Sequence, residues 1–452
     1  MTDVKSGATA LGTEPIGKLL MQYAVPAIIA MTASSLYNMV DSIFIGQGVG
    51  PLAISGLAIT FPLMNLSAAF GTLVGLGCAT LVSVRLGQKD YATAERVLGN
   101  CVTMNVVLGL LLTVVALTYL DPILVFFGSS EATIGYARGY MEIIILGNVI
   151  THLYMGLNAM LRSSGHPKQA MCATIATVVL NTILDPIFIY GFDMGIRGAA
   201  IATVLAQIVS LVWELWLFSR KGELLHFKRG IFRPNRRIIN DSFSIGMAPF
   251  LMNLAACLVV LLINHGLVRY SGDLAVGAFG IVNRLVFVVV MICVGFNQAM
   301  QPICGYNYGS QQYDRVADVL KRTLVAATIV TTTGFLVFMF FTEQVVRIFT
   351  TDAELIGLAE FGLRVAVLIF PIVGIQMVTA NFFQSIGKAH KSIILSLSRQ
   401  VIVLIPCLLI LPHYFGVKGV WYSMPVSDLV SSILAMVMLA AEVKKFKHKS
   451  QA

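Results

Sequence analysis

The sequence predicts an all-α integral membrane protein, in which twelve transmembrane helices form two pseudo-symmetric six-helix bundles. Three observations support this fold class: the composition, long uncharged apolar blocks, and an internal repeat. Hydrophobic residues make up 57% of the 452 residues and charged residues only 12%, against about 25% charged residues in soluble domains. So low a charge density cannot cover a water-facing surface of ordinary polarity.

The apolar residues gather in long blocks without Asp, Glu, Lys or Arg, among them Val97–Leu120, Leu285–Tyr313, Thr323–Thr342 and Val365–Gly387. Each block is at least as long as the roughly 20 residues that a helix needs to cross the hydrocarbon core. Lipid offers the backbone no hydrogen-bond partners, so these blocks must be helices. We predict twelve spans, at 17–42, 52–84, 96–120, 133–160, 168–190, 197–218, 242–268, 274–305, 319–341, 355–385, 392–411 and 419–441.

The two halves of the chain repeat one pattern. At an offset of 221 or 222 residues the matching segments are Gly87–Tyr91 with Gly309–Tyr313, Ser163–Gly165 with Ser385–Gly387, and Gly195–Gly198 with Gly416–Gly419. Because each half has six spans, an even number, the copies share one orientation and are related by an axis along the membrane normal. The alternative is that duplication merely produced a larger bundle without a transport role.

The repeat divides the chain into an N-terminal six-helix lobe, 1–218, a linker, 219–241, and a C-terminal lobe with a basic tail, 242–452. The linker is strongly basic and contains Pro234, so we expect a flexible cytoplasmic tether. Two rigid bundles on such a tether suit alternating access, with substrate bound between the lobes.

Most of the 31 Lys and Arg residues fall in segments on one side of this topology. The positive-inside rule therefore predicts that both termini are cytoplasmic, in a plasma (inner) membrane of a prokaryote. The net charge of +9 is thus a topology signal and does not indicate nucleic-acid binding. The seven cysteines are scattered without CxxC pairs, which disfavours disulfides and a resident metal site.

Asp41 and Asp185 are the strongest candidates among the acidic residues inside predicted spans, where ionisable groups are costly and mark candidate functional sites. Asp41 in span 1 and Asp185 in span 5 lie at similar depth, counted at about 1.5 Å per residue. Tyr37 and Asn181 each precede one of these acids by four residues, so each shares a helix face with it. Two close carboxyl groups cannot both ionise easily, so the site can load a proton. Its oxygen atoms would also suit Na⁺.

The repeat supplies a control for this site, because Asp41 corresponds to Asn264 and Asp185 to Cys407. If these acids were needed only for packing, the second half should also have acidic residues at the corresponding positions. Their absence there favours coupling-ion binding over the alternative of structural carboxylates whose hydrogen bonds are satisfied within the protein. Pro26 removes a backbone hydrogen bond and is expected to bend span 1.

Three of the other ionisable residues within predicted spans are weaker candidates. Arg284 lies part-way into span 8 and is a candidate for lining the central cavity. Arg399 in span 11 and Asp428 in span 12 lie at matching depth, and a buried ion pair that fixes packing is favoured there over a role in transport.

Three groups of residues carry a family resemblance: Pro26 with Tyr37 and Asp41, the segment Arg85–Gln88, and the run Asn181, Asp185, Pro186, Gly191, Gly195, Gly198–Ala200, Ala202 and Thr203. With the repeat and the twelve spans, they make nearly the whole chain similar to the multidrug and toxic compound extrusion (MATE) family. The similarity looks closest to the branch that includes the staphylococcal drug pump. The resemblance implies a secondary active antiporter that exports organic cationic drugs or toxins in exchange for H⁺ or Na⁺, without a cofactor.

The resemblance also implies a coupling-ion pocket at Asp41, Asn181, Asp185 and Thr203, with bending at Pro26. Asn158, in span 4, matches a further polar position of that pocket. Ser34 stands where some relatives have glutamine, which alters the expected hydrogen bonds around Asp41. The acids found in the C-terminal lobe of another branch are absent, so coupling through that lobe is not expected.

Two other functions stay open. A lipid-linked-oligosaccharide flippase of the same superfamily carries a polyanion and should have a cavity rich in Arg and Lys, which this sequence lacks. An intramembrane aspartyl protease would use Asp41 and Asp185, but the surrounding Leu184-Asp185-Pro186 has no GxGD pattern. We therefore expect a transporter and not an enzyme, acting as a monomer in membrane lipid on small organic cations.

Overall fold

The computed structural model describes residues 6–220, 222–271 and 273–451, with side chains except at positions 6, 7, 38, 39, 46, 51, 273 and 446–451. Nearly all of these residues are helical. The first half contains α1 Ser6–Thr13, α2 Ile16–Gly48, α3 Pro51–Gly87, α4 Tyr91–Thr118, α5 Leu120–Phe126, α6 Ile134–Leu146, α7 Asn148–Ser163, α8 Pro167–Pro186 and α9 Ile196–Ser219. A π-helical segment, Ile187–Gly191, directly follows α8.

The second half repeats this order. Its helices are α10 Arg236–Ser271, α11 Asp273–Gly309, α12 Tyr313–Phe340, α13 Thr342–Arg347, α14 Ala353–Ala366, α15 Phe370–Ser385, α16 Ala389–Leu397, α17 Ile405–Phe415 and α18 Val417–Gln451. A π-helical segment, Ser398–Leu404, joins α16 to α17.

Ten helices of the described ranges are long and apolar enough to cross a membrane, and two further helix pairs meet the same criterion together. These pairs, α6 with α7 and α14 with α15, are bent by 54° and 57°. They occupy predicted spans 4 and 10, so the same bend occurs at repeat-equivalent places. Counting each pair as one span gives twelve, which confirms the all-α fold class and the predicted number of spans.

Backbone conformation also repeats at positions that the sequence pattern pairs. The chain enters α9 through Gly195, with φ 56° and ψ −137°, and enters α18 through Gly416, with φ 59° and ψ −138°. Lys89 and Gln311, which follow α3 and α11, are both left-handed, with φ of 59° and 61°. Left-handed residues are uncommon outside glycine, so this coincidence supports the internal duplication independently of residue identity.

Contacts divide the chain into two compact units. Unit 1 comprises the residues up to Glu14 and Ile29–Phe250, and unit 2 comprises Pro15–Ile28 and the residues from Leu251 onward. Helices α2 and α10 therefore each contribute one part to either unit. The bounds of the two units follow from contacts within the structure, whereas the bounds of the predicted lobes follow from the sequence repeat. The predicted lobes therefore stay a prediction.

In unit 1, a buried apolar cluster joins α2, α6 and α9 through residues that include Ile45, Tyr140, and Ala199. Gly198 lets α9 closely approach the π-helical segment that follows α8, because a Cβ atom at this position would lie 2.7 Å from the backbone carbonyl carbon of Phe188. This close approach sets α8 and α9 side by side along the faces that carry the candidate site. In unit 2, Trp421 is 2% exposed and packs in a separate apolar cluster.

The linker is docked on α4 within unit 1, which corrects the expectation of a loose tether over 231–235. Asn100, only 1% exposed, donates from Nδ2 to the Arg233 carbonyl at 3.2 Å and accepts at Oδ1 from the Asn235 backbone N–H at 2.8 Å. Thr103 donates to the Phe232 carbonyl at 2.9 Å. Charge and proline content predicted flexibility, but one buried amide can fix a segment of any composition through its backbone.

Candidate coupling-ion site

Asp41 and Asp185 lie side by side inside unit 1. Asp41 comes from the C-terminal half of α2 and is 5% exposed, while Asp185 comes from the end of α8 and is 0% exposed. Their carboxyl groups are close enough to interact with each other electrostatically. Pro186 follows Asp185 and lacks a backbone N–H, so the regular hydrogen-bond pattern of α8 ends there and the chain continues as a π-helical segment.

The Thr203 hydroxyl on α9 organises the polar groups around this pair. It donates to the Ala199 carbonyl at 3.1 Å, accepts from Asn181 Nδ2 at 3.1 Å and lies 3.2 Å from the Tyr37 hydroxyl. A threonine hydroxyl has one proton to give, so with that proton on Ala199 it accepts from both Asn181 and Tyr37. The structure thus brings together five of the predicted site residues.

Four buried oxygen atoms of this pocket have no hydrogen-bond partner in the described part of the chain: Asp41 Oδ1, Asn181 Oδ1, and Oδ1 and Oδ2 of Asp185. All four are acceptors; the Tyr37 hydroxyl is engaged with Thr203, as is one of the two N–H groups of Asn181 Nδ2. A buried acceptor without a donor costs about 1–3 kcal/mol. The pocket is therefore chemically suited to a proton or to a small cation.

Tyr140 on α6 is a member of this pocket that the sequence analysis missed. It is 1% exposed and is close enough to Asp41 and Asp185 to interact with both electrostatically. Tyrosine on an otherwise apolar helix gives no distinct signal. A count of hydroxyl groups at the depth of the two acids would have been the one way to find it.

Asn158 does not lie in this pocket, which corrects the placement implied by the resemblance. Its Nδ2 donates to the Ala170 carbonyl at 2.9 Å and to Glu214 Oε1 at 3.1 Å, and its Oδ1 accepts from Arg162. Ala170 precedes Asn181 by eleven residues on α8, which corresponds to about 16 Å along a helix. Asn158 thus belongs to a second buried polar cluster nearer the start of α8.

Two other predicted residues lie outside the pocket. Pro26 lies inside the unbroken helix α2, two residues before the point where α2 passes from unit 2 to unit 1. Arg284 is exposed on α11 in unit 2. Their predicted roles in bending and in cavity lining stay predictions.

Arg399 and Asp428 form the ion pair that the sequence predicted. Arg399 Nε lies 2.6 Å from Asp428 Oδ1, and their side chains are 27% and 7% exposed. Arg399 lies in the π-helical segment before α17. The backbone carbonyl of Arg399 also accepts a hydrogen bond from the Ser427 hydroxyl. The pair therefore joins the irregular part of span 11 to α18.

The chemistry of the Asp41 pocket differs from that of a transition-metal centre. Across residues 6–220, 222–271 and 273–451, no three His, Cys, Asp or Glu side chains are grouped as metal ligands. The pocket combines two carboxyl groups with amide and hydroxyl oxygens. Such oxygen atoms can share a proton or surround a hard cation.

Comparison with known proteins agrees with this architecture. The sequence model of the MatE family matches the chain twice, at residues 26–187 and 246–409, one match in each half of the repeat. The chain is 30% identical over 424 residues to "Multidrug export protein MepA" from Staphylococcus haemolyticus (strain JCSC1435), covering 94% of this chain and 93% of that protein.

Solved structures show the same relationship. The chain is 39% identical to the MATE multidrug transporter DinF-BH, with a TM-score of 0.88 and coverage of 95% of this chain and 96% of that one. An outward-facing multidrug resistance MATE transporter of the MOP superfamily is 25% identical, with a TM-score of 0.91 and coverage of 98% and 99%. The chain therefore belongs to the MatE family of multi-pass membrane transporters, and it is not an enzyme.

Proposed function

We propose that this protein is a secondary active antiporter that exports organic cations in exchange for an inward-moving cation bound at Asp41 and Asp185. Transport proceeds by alternating access, with the acid pair loaded from one side of the membrane and unloaded to the other. The observation that carries the proposal is the group of four buried acceptor oxygens on Asp41, Asn181 and Asp185 without a donor in the described residues.

The contact between the two carboxyl groups favours the proton as the coupling ion. Two buried carboxylates this close to each other repel unless one carries a proton, and a single proton bound by the pair removes that repulsion. Loss of this proton leaves two buried negative charges, which attract either an organic cation or a new proton. Proton binding and substrate binding are thereby made to compete.

Sodium is a second candidate for the coupling ion. The donor-free oxygens of Asp41, Asn181 and Asp185 form an oxygen-only set, which suits a hard cation. Unlike a proton, Na⁺ would be held by all of these oxygens at once, so the two ions predict different responses to amide substitution at Asn181.

Organic cations are favoured as substrates because the buried charge of this protein is acidic. Among the described residues, the buried Asp, Glu, Lys and Arg side chains are all carboxylates: Asp41, Asp185, Glu214, Asp428 and Glu442. A flippase for a polyanionic lipid-linked oligosaccharide should bury basic groups instead. The relatives named as a multidrug export protein and as a multidrug transporter support export of varied organic compounds.

Dye efflux from everted membrane vesicles tests this function directly. We expect ethidium transport that stops when a protonophore collapses the proton gradient and continues when Na⁺ is removed, and the reverse dependence would identify Na⁺ as the coupling ion. Asp41→Asn and Asp185→Asn should each abolish efflux at unchanged expression. Cys407→Ala, at the repeat-equivalent position of Asp185, is the matched control and should transport normally. Wild-type efflux by both acid variants would reject the site.

A further inference from the structure

A second fully buried carboxylate lies in unit 1, about 16 Å along α9 from Thr203. Glu214 is 0% exposed, and its Oε1 accepts a hydrogen bond from Asn158 Nδ2 at 3.1 Å. Its Oε2 has no hydrogen-bond partner in the part of the chain that the structure describes. Arg162 on α7 interacts with Glu214 electrostatically, but its Nη1 donates to Asn158 Oδ1.

Glu442 in unit 2 shows how a buried structural glutamate is satisfied in this protein. It is 1% exposed, like Glu214, but each of its carboxylate oxygens pairs with a lysine: Oε1 with Lys388, and Oε2 with Lys391 at 2.6 Å. Glu214 has one basic neighbour and one oxygen without a donor. Because a buried charge that only supports packing is expected to be fully paired, the incomplete pairing of Glu214 points to a group that changes its protonation.

A line of polar side chains connects the level of the acid pair with that of Glu214. On α9, Thr203, Ser210 and Glu214 are spaced by seven and four residues, which places them on one face. On α8, Asn181 and Thr177 face them, because Thr177 Oγ1 donates to Ser210 Oγ at 2.7 Å and Asn181 donates to Thr203 at 3.1 Å. We call this line the α8/α9 polar seam.

Tyr154 on α7 extends the seam to Glu214. Its hydroxyl donates to Thr174 at 3.4 Å and interacts electrostatically with Glu214. A hydroxyl group can accept one hydrogen bond while it donates another. It can therefore pass on a proton by accepting one from one neighbour and releasing its own to the next. Among the described residues, the titratable groups that act on Glu214 are Arg162 and Tyr154, both from α7.

We propose that Glu214 is a second proton-binding site, which receives the coupling proton from Asp41 and Asp185 and passes it to the end of unit 1 that carries Arg162. The proposal rests on proton coupling at the acid pair. In the step, an O–H bond on the acid pair breaks and an O–H bond forms on Glu214 Oε2. The seam hydroxyls and water that enters from the Arg162 end each accept one proton and release another, so no electrons are transferred.

The location of Glu214 gives this step a direction. Glu214 lies five residues before the end of α9, and Arg162 lies one residue before the end of α7. Both helix ends adjoin the basic segments that the positive-inside rule predicts to be cytoplasmic. Arg162 stabilises the ionised form of Glu214 after the proton has left, so the carboxylate is ready for the next transport cycle.

Purified full-length protein in proteoliposomes tests the proposal through the pH dependence of ethidium transport. We expect Glu214→Gln to bind ethidium normally but to slow transport by about tenfold or more, as loss of a proton-transfer group does, and to flatten the pH profile. Glu214→Asp should restore part of the rate. Glu131→Gln, at an exposed carboxylate of unit 1, should have the wild-type profile.

A purely structural role for Glu214 is distinguished by the double variant Glu214→Gln with Arg162→Gln, which removes both charges. If Glu214 only neutralises Arg162, the double variant should recover the wild-type rate and pH profile, and that result would overturn the proposal. An unchanged profile in Glu214→Gln would overturn it as well. Normal transport by Asp41→Asn and Asp185→Asn would instead reject the proposed function itself, so the two failures are separable.

Discussion

The Asn181 amide donates to the Thr203 hydroxyl at 3.1 Å, and this bond decides the polarity of the candidate site. Because Asn181 Nδ2 is held by Thr203, Asn181 Oδ1 is left as an acceptor without a donor in the described residues, like Asp41 Oδ1 and both carboxyl oxygens of Asp185. The Thr203 hydroxyl thus engages one N–H of Asn181 and the Tyr37 hydroxyl, while four acceptor oxygens around the acid pair have no donor among the described residues. The preference of this pocket for a cation arises from that arrangement as much as from the two acids.

Thr203→Val should therefore impair transport although it changes neither acid. Valine has nearly the same shape but no hydroxyl, so the Asn181 amide and the Tyr37 hydroxyl lose their shared acceptor. Each buried group left without a partner costs about 1–3 kcal/mol, and the Asn181 amide is then free to turn toward the carboxylates. We expect slower ethidium efflux and a lower melting temperature in detergent.

Thr203→Ser is the matched control, because serine keeps the hydroxyl and loses only a methyl group. It should retain most of the efflux rate measured in the same proteoliposomes. Equal loss in both variants would show that packing by the methyl group, and not the hydrogen bonds, is what Thr203 contributes.

Gly198→Ala should disturb the site by moving whole helices. An alanine Cβ at this position would lie 2.7 Å from the Phe188 carbonyl carbon and 2.8 Å from its oxygen. Both atoms belong to backbone, so neither can rotate away, and α9 must shift from α8. We expect loss of ethidium efflux together with a lower melting temperature, because the Asn181 to Thr203 contact depends on this approach.

Gly191→Ala is the matched control in the π-helical segment that contains Phe188, because a Cβ atom at position 191 would have no neighbouring atom within 4 Å. This variant should retain near-normal stability and efflux. If Gly198→Ala proved as active as Gly191→Ala, the close approach of α8 and α9 would not be what positions the site.

The length of the apolar blocks, the placement of charge and the internal repeat were sufficient to predict the fold. Backbone groups in lipid find hydrogen-bond partners only within the protein, so a long apolar block must be helical. The length of the apolar blocks therefore identified the spans, and the repeat identified which spans of the two halves correspond. The bends of 54° and 57° in two spans were not predictable. They occur where α6 meets α7 and α14 meets α15, and no proline lies at the first of these breaks.

The acid pair was predictable because charge inside an apolar block is rare enough to be noticed. Tyr140 and Glu214 show the limit of that approach. Tyr140 carries no charge and looks like part of an apolar helix, whereas Glu214 lies near a helix end, where an acid could equally reach water. Their burial follows from how α6, α7, α8 and α9 pack, which depends on long-range contacts that a single sequence does not encode locally.

The docked linker leads to a prediction about proteolysis. Asn100→Ala removes the amide that holds the Arg233 carbonyl and the Asn235 N–H, so the segment should detach from α4. The lost hydrogen bonds are worth about 1 kcal/mol each. We expect trypsin to cleave after Arg229 faster than in the wild-type protein, as followed by gel electrophoresis and mass spectrometry; Arg233 precedes Pro234 and is not a tryptic site.

Thr103→Ala provides a graded comparison, because Thr103 makes a single hydrogen bond to the linker, at the Phe232 carbonyl. It should increase cleavage less than Asn100→Ala does. If cleavage were as slow in Asn100→Ala as in the wild type, the linker would be held by something other than this amide.

The pair between Arg399 and Asp428 should behave as a structural element of unit 2. Asp428 is 7% exposed, so Asp428→Asn leaves the Arg399 guanidinium without a counter-charge in an apolar setting. Removing one partner of a buried ion pair typically costs about 3–5 kcal/mol, and the 27% exposure of Arg399 reduces this toward the lower end. We expect a lower melting temperature for Asp428→Asn and for Arg399→Gln.

The double variant Arg399→Met with Asp428→Leu separates structure from transport. Replacing both charges by apolar groups is often neutral for stability, so the melting temperature should recover, and ethidium efflux should recover with it if the pair only joins the π-helical segment to α18. Arg284→Gln, at an exposed arginine of the same unit, controls for loss of a positive charge and should not change the melting temperature. A double variant that is stable but inactive would instead assign the pair to the transport cycle, because restored packing would then have failed to restore function.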